Sequence, residues 1–373
     1  MRHIVIPFLV LAFSVQAQTK KTFTDSLDNF FQTVFKSNEP GGAVLVVKDG
    51  KLIYKRGFGI EDIKTKKIVT TQTLFNVGSI TKTFVAFGIL RLAEEKKLSL
   101  DDELHKYFPD FKDPAIAKKI KLYNLLTHTS GLPDSRKVKE DSIFYLTAKD
   151  AENFAPLKQT DTLHFQPGEK FEYSNPAFNG LALIIEKVTG MKWQDYINKI
   201  IFQPSGMKRS TITDGPHPQT GVSHGYILND KKEFVEDDYG EEPTFAAAGN
   251  GGVWSSVEEL WKYEQAIQKN IFLQTEWIKK ARTVYSFPNW KDKQAPLIGL
   301  CWFITKDGDI NLIGHTGSQG GFISDYLWLP DQKIFYVLLC NTPKPIRSIR
   351  SKVFEFLKQN NWLESKRPSL ESL

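Results

Sequence analysis

Cysteine is nearly absent from this 373-residue sequence, which contains only Cys301 and Cys340. So few cysteines exclude a disulfide-rich scaffold and a cysteine-based zinc ribbon, and they leave open whether the two thiols are bridged or simply buried. Low-complexity composition is absent too, since 41% of the residues are apolar and 25% are charged. These ordinary proportions exclude a disordered chain, a collagen, a coiled coil and a polytopic membrane protein.

Positive charge is in slight excess, with 49 Lys and Arg residues against 43 Asp and Glu residues. It is spread over separate short clusters, such as residues 64–67, 118–119 and 231–232. Solvated surfaces account for such clusters, and no nucleic-acid-binding motif accompanies them. We therefore expect no nucleic-acid partner.

The first 17 residues have the pattern of a secretory signal peptide. Arg2 and His3 form a short basic start, residues 4–13 form an apolar run, and Val15-Gln16-Ala17 offers small residues to a signal peptidase. The run is too short to span a bilayer, and no cysteine follows it as a lipoprotein anchor would require. We predict cleavage after Ala17 and a periplasmic or secreted protein with no stable membrane anchor.

Strand patterns occur at both ends of the remaining chain, and helical patterns occupy its middle. The predicted strands are residues 43–47, 51–57, 300–304, 310–313, 322–329 and 333–340. The clearest helical patterns are residues 24–35, 79–95 and 347–359. This order predicts an α+β fold, in which helices flank one antiparallel sheet built from both chain ends and a helical lobe is added.

The domain prediction follows from that order. After the signal peptide (1–17), residues 18–373 form one domain with an α/β lobe (18–78 plus 250–373) and a helical lobe (79–249). The cleft between the lobes is the expected place for a functional site.

Ser79 and Lys82 open the first long helix of the middle region. Residues three apart share one face of a helix, so a serine hydroxyl and a lysine amine can meet there. A serine needs a neighbouring base to become a nucleophile, and a lysine serves as one only if its pKa falls to about 7–8. Burial and a helix N-terminus both lower the pKa of an amine.

The same spacing occurs a second time, at Ser205 and Lys208. Pro204 precedes that pair and Gly206 lies within it, a composition typical of a turn and not of a helix start. Short motifs carry such chance matches, so the first pair needs support from elsewhere in the chain.

Tyr173 and Asn175 supply the second segment, after the turn-forming residues 165–168. A phenol beside a lysine can relay a proton, and an amide can hold a substrate carbonyl. A similar Tyr196-Ile197-Asn198 lies within a helical pattern, where core packing is the expected role.

The third segment is His315-Thr316-Gly317-Ser318, between two strand-like runs. An edge strand there can offer backbone N–H groups to a substrate, and glycine permits a close approach. The amides of Ser79 and Ser318 would then form an oxyanion hole with two donors.

Together the three segments resemble the motifs of the serine β-lactamase and penicillin-binding-protein superfamily. The tyrosine in the second motif is similar to the class C β-lactamase branch, which also contains esterases and D-peptidases. Residues 125–133 and 248–253 resemble the loop after the nucleophile helix and the glycine loop of that family. The resemblance spans roughly residues 24–360 and implies an α/β lobe, a helical lobe and a site between them.

His315 departs from the pattern, because β-lactamases of this branch usually have lysine there. A mostly neutral imidazole offers less charge to the acidic group of a β-lactam. This departure makes a role in antibiotic resistance a less favoured interpretation, and it is compatible with the esterases and D-peptidases of the family.

Other roles for histidine are less favoured. No Gly-x-Ser-x-Gly segment supports a Ser-His-Asp triad that uses His315, and His128 in its threonine-rich loop is interpreted as structural. The remaining histidines show no metal-ligand spacing, so we predict neither metal nor cofactor; they are His105, His164, His217 and His224.

The sequence therefore predicts a serine hydrolase that cleaves an ester or amide bond, including that of a D-amino-acid peptide, through a Ser79 acyl-enzyme. Lys82 and Tyr173 exchange the protons, while Asn175 and His315 orient a small-molecule ester, peptide or β-lactam. Three alternatives stay open: a D-alanyl-D-alanine carboxypeptidase, a class C-type β-lactamase, and an inert module that binds penicillin or peptidoglycan.

Overall fold

The computed structural model describes residues 22–134, 136, 147–212, 221–237 and 248–364. The predicted signal peptide lies outside these ranges, so its cleavage stays a prediction. None of the helices within the described ranges is long and apolar enough to cross a bilayer.

Strands and helices follow the expected order along the chain. The described strands are β1 (Gly42–Lys48), β2 (Lys51–Phe58), β3 (Ile60–Asp62), β4 (Lys67–Ile68), β5 (Phe75–Asn76), β6 (Thr211–Ile212), β7 (Tyr226–Leu228), β8 (Phe234–Glu236), β9 (Val253–Ser255), β10 (Phe303–Asp307), β11 (Ile310–Gln319), β12 (Phe322–Leu329) and β13 (Ile334–Cys340). The described α-helices are α1 (Phe23–Val34), α2 (Thr81–Glu94), α3 (Leu104–Tyr107), α4 (Pro114–Lys119), α5 (Leu122–Leu126), α6 (Asp150–Lys158), α7 (Asn175–Thr189), α8 (Trp193–Ile197), α9 (Val257–Gln268), α10 (Thr275–Ala281) and α11 (Ile346–Gln359). A 3₁₀-helix (Gly78–Ile80) precedes α2, and a π-helix (Asn198–Phe202) follows α8.

One six-stranded sheet joins the two ends of the chain, in the order β10-β11-β12-β13-β1-β2. Strand β1 pairs antiparallel with β13, with Gly42 opposite Cys340 and Lys48 opposite Ile334. Every residue of β13 is buried, which is the pattern of a strand covered on both faces. The predicted α+β class with an antiparallel sheet built from both ends is confirmed.

Two hydrophobic cores cover the faces of this sheet. On one face, α1 and α11 contribute Leu27, Phe31 and Leu357 to a core with Val44 and Tyr336. The opposite face belongs to a larger core that continues into the helices of the middle region. Helix α2 is buried on nearly all sides, as expected of a helix at the centre of a lobe.

Three predicted boundaries were wrong around the sheet and α2. The strand expected at residues 300–304 begins only at Phe303, because Cys301 has a φ of 77° and its N–H donates to the Leu126 carbonyl at 2.8 Å. Strand β11 continues past residue 313 to Gln319. The first turn of the helix expected at residues 79–95 is 3₁₀. Cys301 and Cys340 are free, buried thiols.

Candidate active site

Ser79 lies in the 3₁₀-helix that leads into α2. The preceding Gly78 has a φ of +53°, and its N–H donates to the Asn76 side chain at 2.8 Å. A Cβ atom on Gly78 would lie 2.7 Å from the backbone nitrogen of Ser318. Glycine is needed here for two reasons, because other residues rarely adopt this φ and because β11 approaches the turn so closely.

The Lys82 amine lies directly beside the Ser79 hydroxyl. Its Nζ is 2.9 Å from the Ser79 Oγ and donates to the Asn250 carbonyl at 2.7 Å. Lys82 is fully buried, and this burial lowers the pKa of its amine from 10.5 to about 7, with Cys301 opposing and Arg136 reinforcing the shift. A lysine with such a pKa is neutral in about half of the molecules at pH 7.

Tyr173 lies over the same amine, with its ring centroid 5.2 Å from the Lys82 Nζ. The same ring stacks on the His128 ring, with a centroid distance of 4.3 Å. The His128 Nδ1 accepts a hydrogen bond from the Ser174 N–H at 3.0 Å. Burial holds the pKa of His128 well below its usual value, and the nearby Lys82 lowers it further. His128 is thus a neutral platform for the Tyr173 ring, a contact that the sequence did not reveal.

Asn175 is the first residue of α7, two residues after Tyr173. The Ser174 side chain caps this helix by accepting from the Ala177 N–H at 3.3 Å. The two duplicate motifs lie elsewhere: Tyr196 is buried in α8, and Ser205 and Lys208 belong to a turn region after the π-helix.

The segment from His315 to Ser318 belongs to β11 and lies against the nucleophile turn. Strand β10 pairs with β11 only as far as Gly314, whereas β12 pairs with it through Gln319. A Cβ atom on Gly317 would lie 2.0 Å from the Val77 carbonyl oxygen. That carbonyl accepts a hydrogen bond from the Ser324 hydroxyl of β12 at 2.9 Å. Two strands therefore hold the turn that carries Ser79.

Side chains alternate along this part of β11, so that Thr316 and Ser318 are exposed while His315 is buried. The His315 Nδ1 donates to the Thr316 carbonyl at 2.6 Å. Burial lowers the pKa of His315 to about 3, and the Lys82 charge acts in the same direction. His315 is therefore neutral at physiological pH, and it lies against the Phe303 ring with a centroid distance of 5.2 Å.

A glycine-rich loop, residues 248–252, contacts both Lys82 and the segment before Ser79. It supplies the Asn250 carbonyl to Lys82, and its Gly251 carbonyl accepts from the Asn76 side chain at 3.0 Å. The same Asn76 side chain accepts from the Gly78 N–H. Asn76 thus ties the loop to the nucleophile turn. No motif marks this role in the sequence, because Asn76 stands between the ordinary strand residues Phe75 and Val77.

The Beta-lactamase family model matches residues 27–353, a span that includes every residue of this site. The chain belongs to the Beta-lactamase family. The resemblance read from the three motifs is thereby confirmed at the level of the family.

Two curated relatives match most of this chain. The chain is 27% identical to Penicillin-binding protein 4* of Bacillus subtilis over 330 residues, which cover 84% of this chain and 71% of the relative. It is 28% identical to Protein flp of Staphylococcus aureus over 338 residues, 85% of this chain. The chain spans 64% of the length of Protein flp, just under two thirds.

Solved structures show the same fold. The octameric penicillin-binding protein homologue from Pyrococcus abyssi superposes with a TM-score of 0.76 and 27% identity, covering 90% of this chain and 77% of its own. The D-amino acid amidase from Ochrobactrum anthropi SV3 superposes with a TM-score of 0.74 and 22% identity, covering 90% and 99%. These similarities confirm the β-lactamase and transpeptidase type of fold.

Proposed function

We propose that this protein is a serine hydrolase that cleaves an ester or amide bond through an acyl-enzyme on Ser79. The observation that carries the proposal is the 2.9 Å contact between the Ser79 Oγ and the Lys82 Nζ, whose pKa is about 7. Family membership supports it, since serine hydrolases belong to this superfamily. The test is detection of an acyl adduct by intact-protein mass spectrometry after incubation with a short-chain nitrophenyl ester.

In the first half-reaction, the neutral Lys82 amine takes the Ser79 proton while the Ser79 oxygen attacks the substrate carbonyl carbon. The carbonyl electron pair moves to its oxygen, and the N–H groups of Ser79 and Ser318 stabilise that negative charge. The leaving group departs with a proton delivered through Lys82 and Tyr173, which leaves the acyl group on Ser79.

Water completes the second half-reaction. Its oxygen attacks the acyl carbon and gives a proton to the Lys82 and Tyr173 network, and the Ser79 oxygen leaves and takes a proton back. The Tyr173 ring lies over the Lys82 amine, with its centroid 5.2 Å from the Nζ, so both groups are placed to exchange protons with the reacting atoms. We assign the base function to this pair and not to one member at each step.

The substrate proposal rests on His315 and its neutral imidazole. A buried ring with a pKa of about 3 supplies no full positive charge to an acidic group. We therefore favour an ester or amide without a required carboxylate near β11, which Asn175 and Thr316 help to orient. The β-lactamase and D-alanyl-D-alanine carboxypeptidase alternatives are tested by assaying a cephalosporin and a D-Ala-D-Ala peptide beside the nitrophenyl ester.

The rate of Ser79 acylation is expected to rise with pH and to have its midpoint at about pH 7. Below that pH the Lys82 amine is protonated and cannot accept the serine proton, whereas above it the amine is free. Stopped-flow measurement of the acylation burst across neutral pH, corrected for spontaneous ester hydrolysis, checks this. A midpoint near pH ~10, the value of an unperturbed lysine, would contradict the assignment of Lys82 as the base.

Replacing His315 with lysine is expected to raise the acylation rate by a penicillin, relative to that by a neutral nitrophenyl ester, by about tenfold. A charge-assisted hydrogen bond to the substrate carboxylate stabilises the complex by roughly 1.5–3 kcal/mol. His315→Gln is the matched control, because it changes the side chain and stays neutral. Equal ratios in both variants and the wild type would show that charge at this position does not select the substrate.

A further inference from the structure

The position of the Lys82 amine depends on an atom that is far away in the sequence. Of its two hydrogen-bonding partners, the Ser79 hydroxyl is the group to be activated, and the Asn250 carbonyl is the one that stays in place. The direction of this carbonyl is set by the loop of residues 248–252. Whatever fixes that loop therefore also fixes the base.

Asp150, the first residue of α6, holds this loop by hydrogen bonds. Its Oδ1 accepts from the Gly249 N–H at 2.8 Å and from the Asn179 side-chain amide at 2.7 Å. The same Asn179 amide lies 3.2 Å from the Asn250 Oδ1. The Asp150 carboxylate thus holds the Ala248–Gly249 peptide directly and the Asn250 side chain through the Asn179 amide.

The second carboxylate oxygen of Asp150 points away from the loop and accepts from the Trp193 indole N–H at 2.9 Å. Asp150 is buried, and among the described residues its carboxylate meets three N–H donors. Burial raises the pKa of Asp150 to about 7, although these three hydrogen bonds oppose the shift. Above neutral pH the carboxylate is mostly ionised, and in that form it accepts from all three donors. Burying such a group is costly, so its presence beneath the loop calls for a function.

Tight packing leaves the loop little freedom to move away from Asp150. A Cβ atom on Gly249 would lie 2.7 Å from the Ala182 Cβ and 2.8 Å from the Phe178 carbonyl oxygen of α7. The groups that set the pKa of Lys82, besides burial, are Cys301 and Arg136. Asp150 therefore acts on Lys82 through the backbone and not through its charge.

We infer that Asp150 is a positioning residue for the base: with Asn179 it clamps the glycine-rich loop so that the Asn250 carbonyl holds the Lys82 amine against Ser79. The inference rests on the proposed acyl-enzyme function. A displacement of the reacting groups by about 1 Å can lower a rate by about 10²-fold, so the clamp has a large effect without touching the substrate.

The experiment compares Asp150→Asn with Trp193→Phe. The first replaces a carboxylate oxygen that accepts with an amide nitrogen that donates, and the second removes one donor from the side of Asp150 away from the loop. Asn179→Ala is a further variant, which removes the link to Asn250 without changing the carboxylate. The acylation rate constant and the dissociation constant of a nitrophenyl ester, both from the concentration dependence of the burst, and the melting temperature are measured for each variant at about pH 8.5, where Lys82 is mostly neutral.

We expect the acylation rate constant to fall by about 10–100-fold in Asp150→Asn and in Asn179→Ala, with the dissociation constant of the ester nearly unchanged. Trp193→Phe should lower the melting temperature and leave the acylation rate within about twofold of wild type. If all three variants lose acylation in proportion to their loss of stability, or if neither loop-side variant loses it, the positioning role is wrong. A wild-type protein that forms no adduct would instead overturn the acyl-enzyme function itself.

Discussion

Alanine at position 79 is expected to abolish covalent labelling and to lower ester hydrolysis by about 10⁴–10⁶-fold. The Ser79 oxygen is the atom that forms the acyl bond, and among the described residues it is the hydroxyl that hydrogen-bonds to Lys82. Removing one oxygen from a short 3₁₀-helix leaves the backbone contacts of Gly78 and Ile80 in place. Intact-protein mass spectra with a fluorophosphonate, a penicillin and a nitrophenyl ester measure the loss directly.

The chain supplies its own control for this substitution. Ser205→Ala changes the first residue of the second Ser-x-x-Lys segment, which ends at Lys208 and forms a turn instead of a helix start. We expect this variant to label and turn over like the wild type. Labelling that persists in Ser79→Ala would identify a different nucleophile, and a wild type that no probe labels would favour an inert binding module.

Local patterns were enough to predict the framework that holds this site. The predicted strand 322–329 coincides with β12, and the predicted strands 43–47 and 51–57 correspond to β1 and β2. These elements alternate or cluster apolar residues over four to eight positions, which is the signal that a strand leaves in a sequence. The sheet could then be assembled because strands at both chain ends need a partner.

The boundaries that failed depend on contacts between distant residues. Cys301 stands in an apolar run typical of a strand, yet it adopts a φ of 77° because its N–H bonds to the Leu126 carbonyl of α5. Residues 314–319 include glycine, threonine and serine, so the apolar run that predicts a strand ends at Ile313, but pairing with β12 keeps these residues extended as well. Strand propensity predicts a strand boundary poorly where hydrogen bonds between distant residues set the backbone conformation.

The polar groups beneath the site were missed for a related reason. Asp150 and Asn179 stand in helices as ordinary polar residues, and no motif marks them. Their importance arises only when α6, α7 and the glycine-rich loop meet, with the Asn179 amide 2.7 Å from Asp150 and 3.2 Å from Asn250. Ser79, Lys82 and Tyr173 could be singled out because their chemistry imposes short, recognisable spacings.

Replacing Lys82 with methionine is expected to lower the acylation rate by about 10²–10⁴-fold, the usual contribution of a general base. Methionine has a similar length and no nitrogen, so Ser79 keeps its place and loses its proton acceptor. Single-turnover acylation with a nitrophenyl ester measures this effect. Lys208→Met, in the duplicate motif, should leave the rate unchanged, and equal losses in both variants would contradict a specific role for Lys82.

The Lys82→Met variant should be more stable than the wild type although its acylation rate falls. This difference separates a catalytic loss from misfolding. The pKa of Lys82 is about 7 in the folded protein against a reference value of 10.5, so unfolding takes up protons between these two pH values, and about half a proton at pH 7 itself. Stability therefore falls as the pH decreases from 10.5 to about 7. A pKa shift of this size lowers the free energy of unfolding by several kcal/mol at neutral pH, and methionine removes that loss. Methionine also leaves the Asn250 carbonyl without the Lys82 donor, which lowers the free energy of unfolding by about 1–3 kcal/mol. We therefore expect Lys82→Met to melt at a higher temperature than the wild type at pH 7, with the difference shrinking towards pH ~10. A variant that is both inactive and less stable at pH 7 would show that the buried amine supports the fold instead of being held there, at a cost in stability, for catalysis.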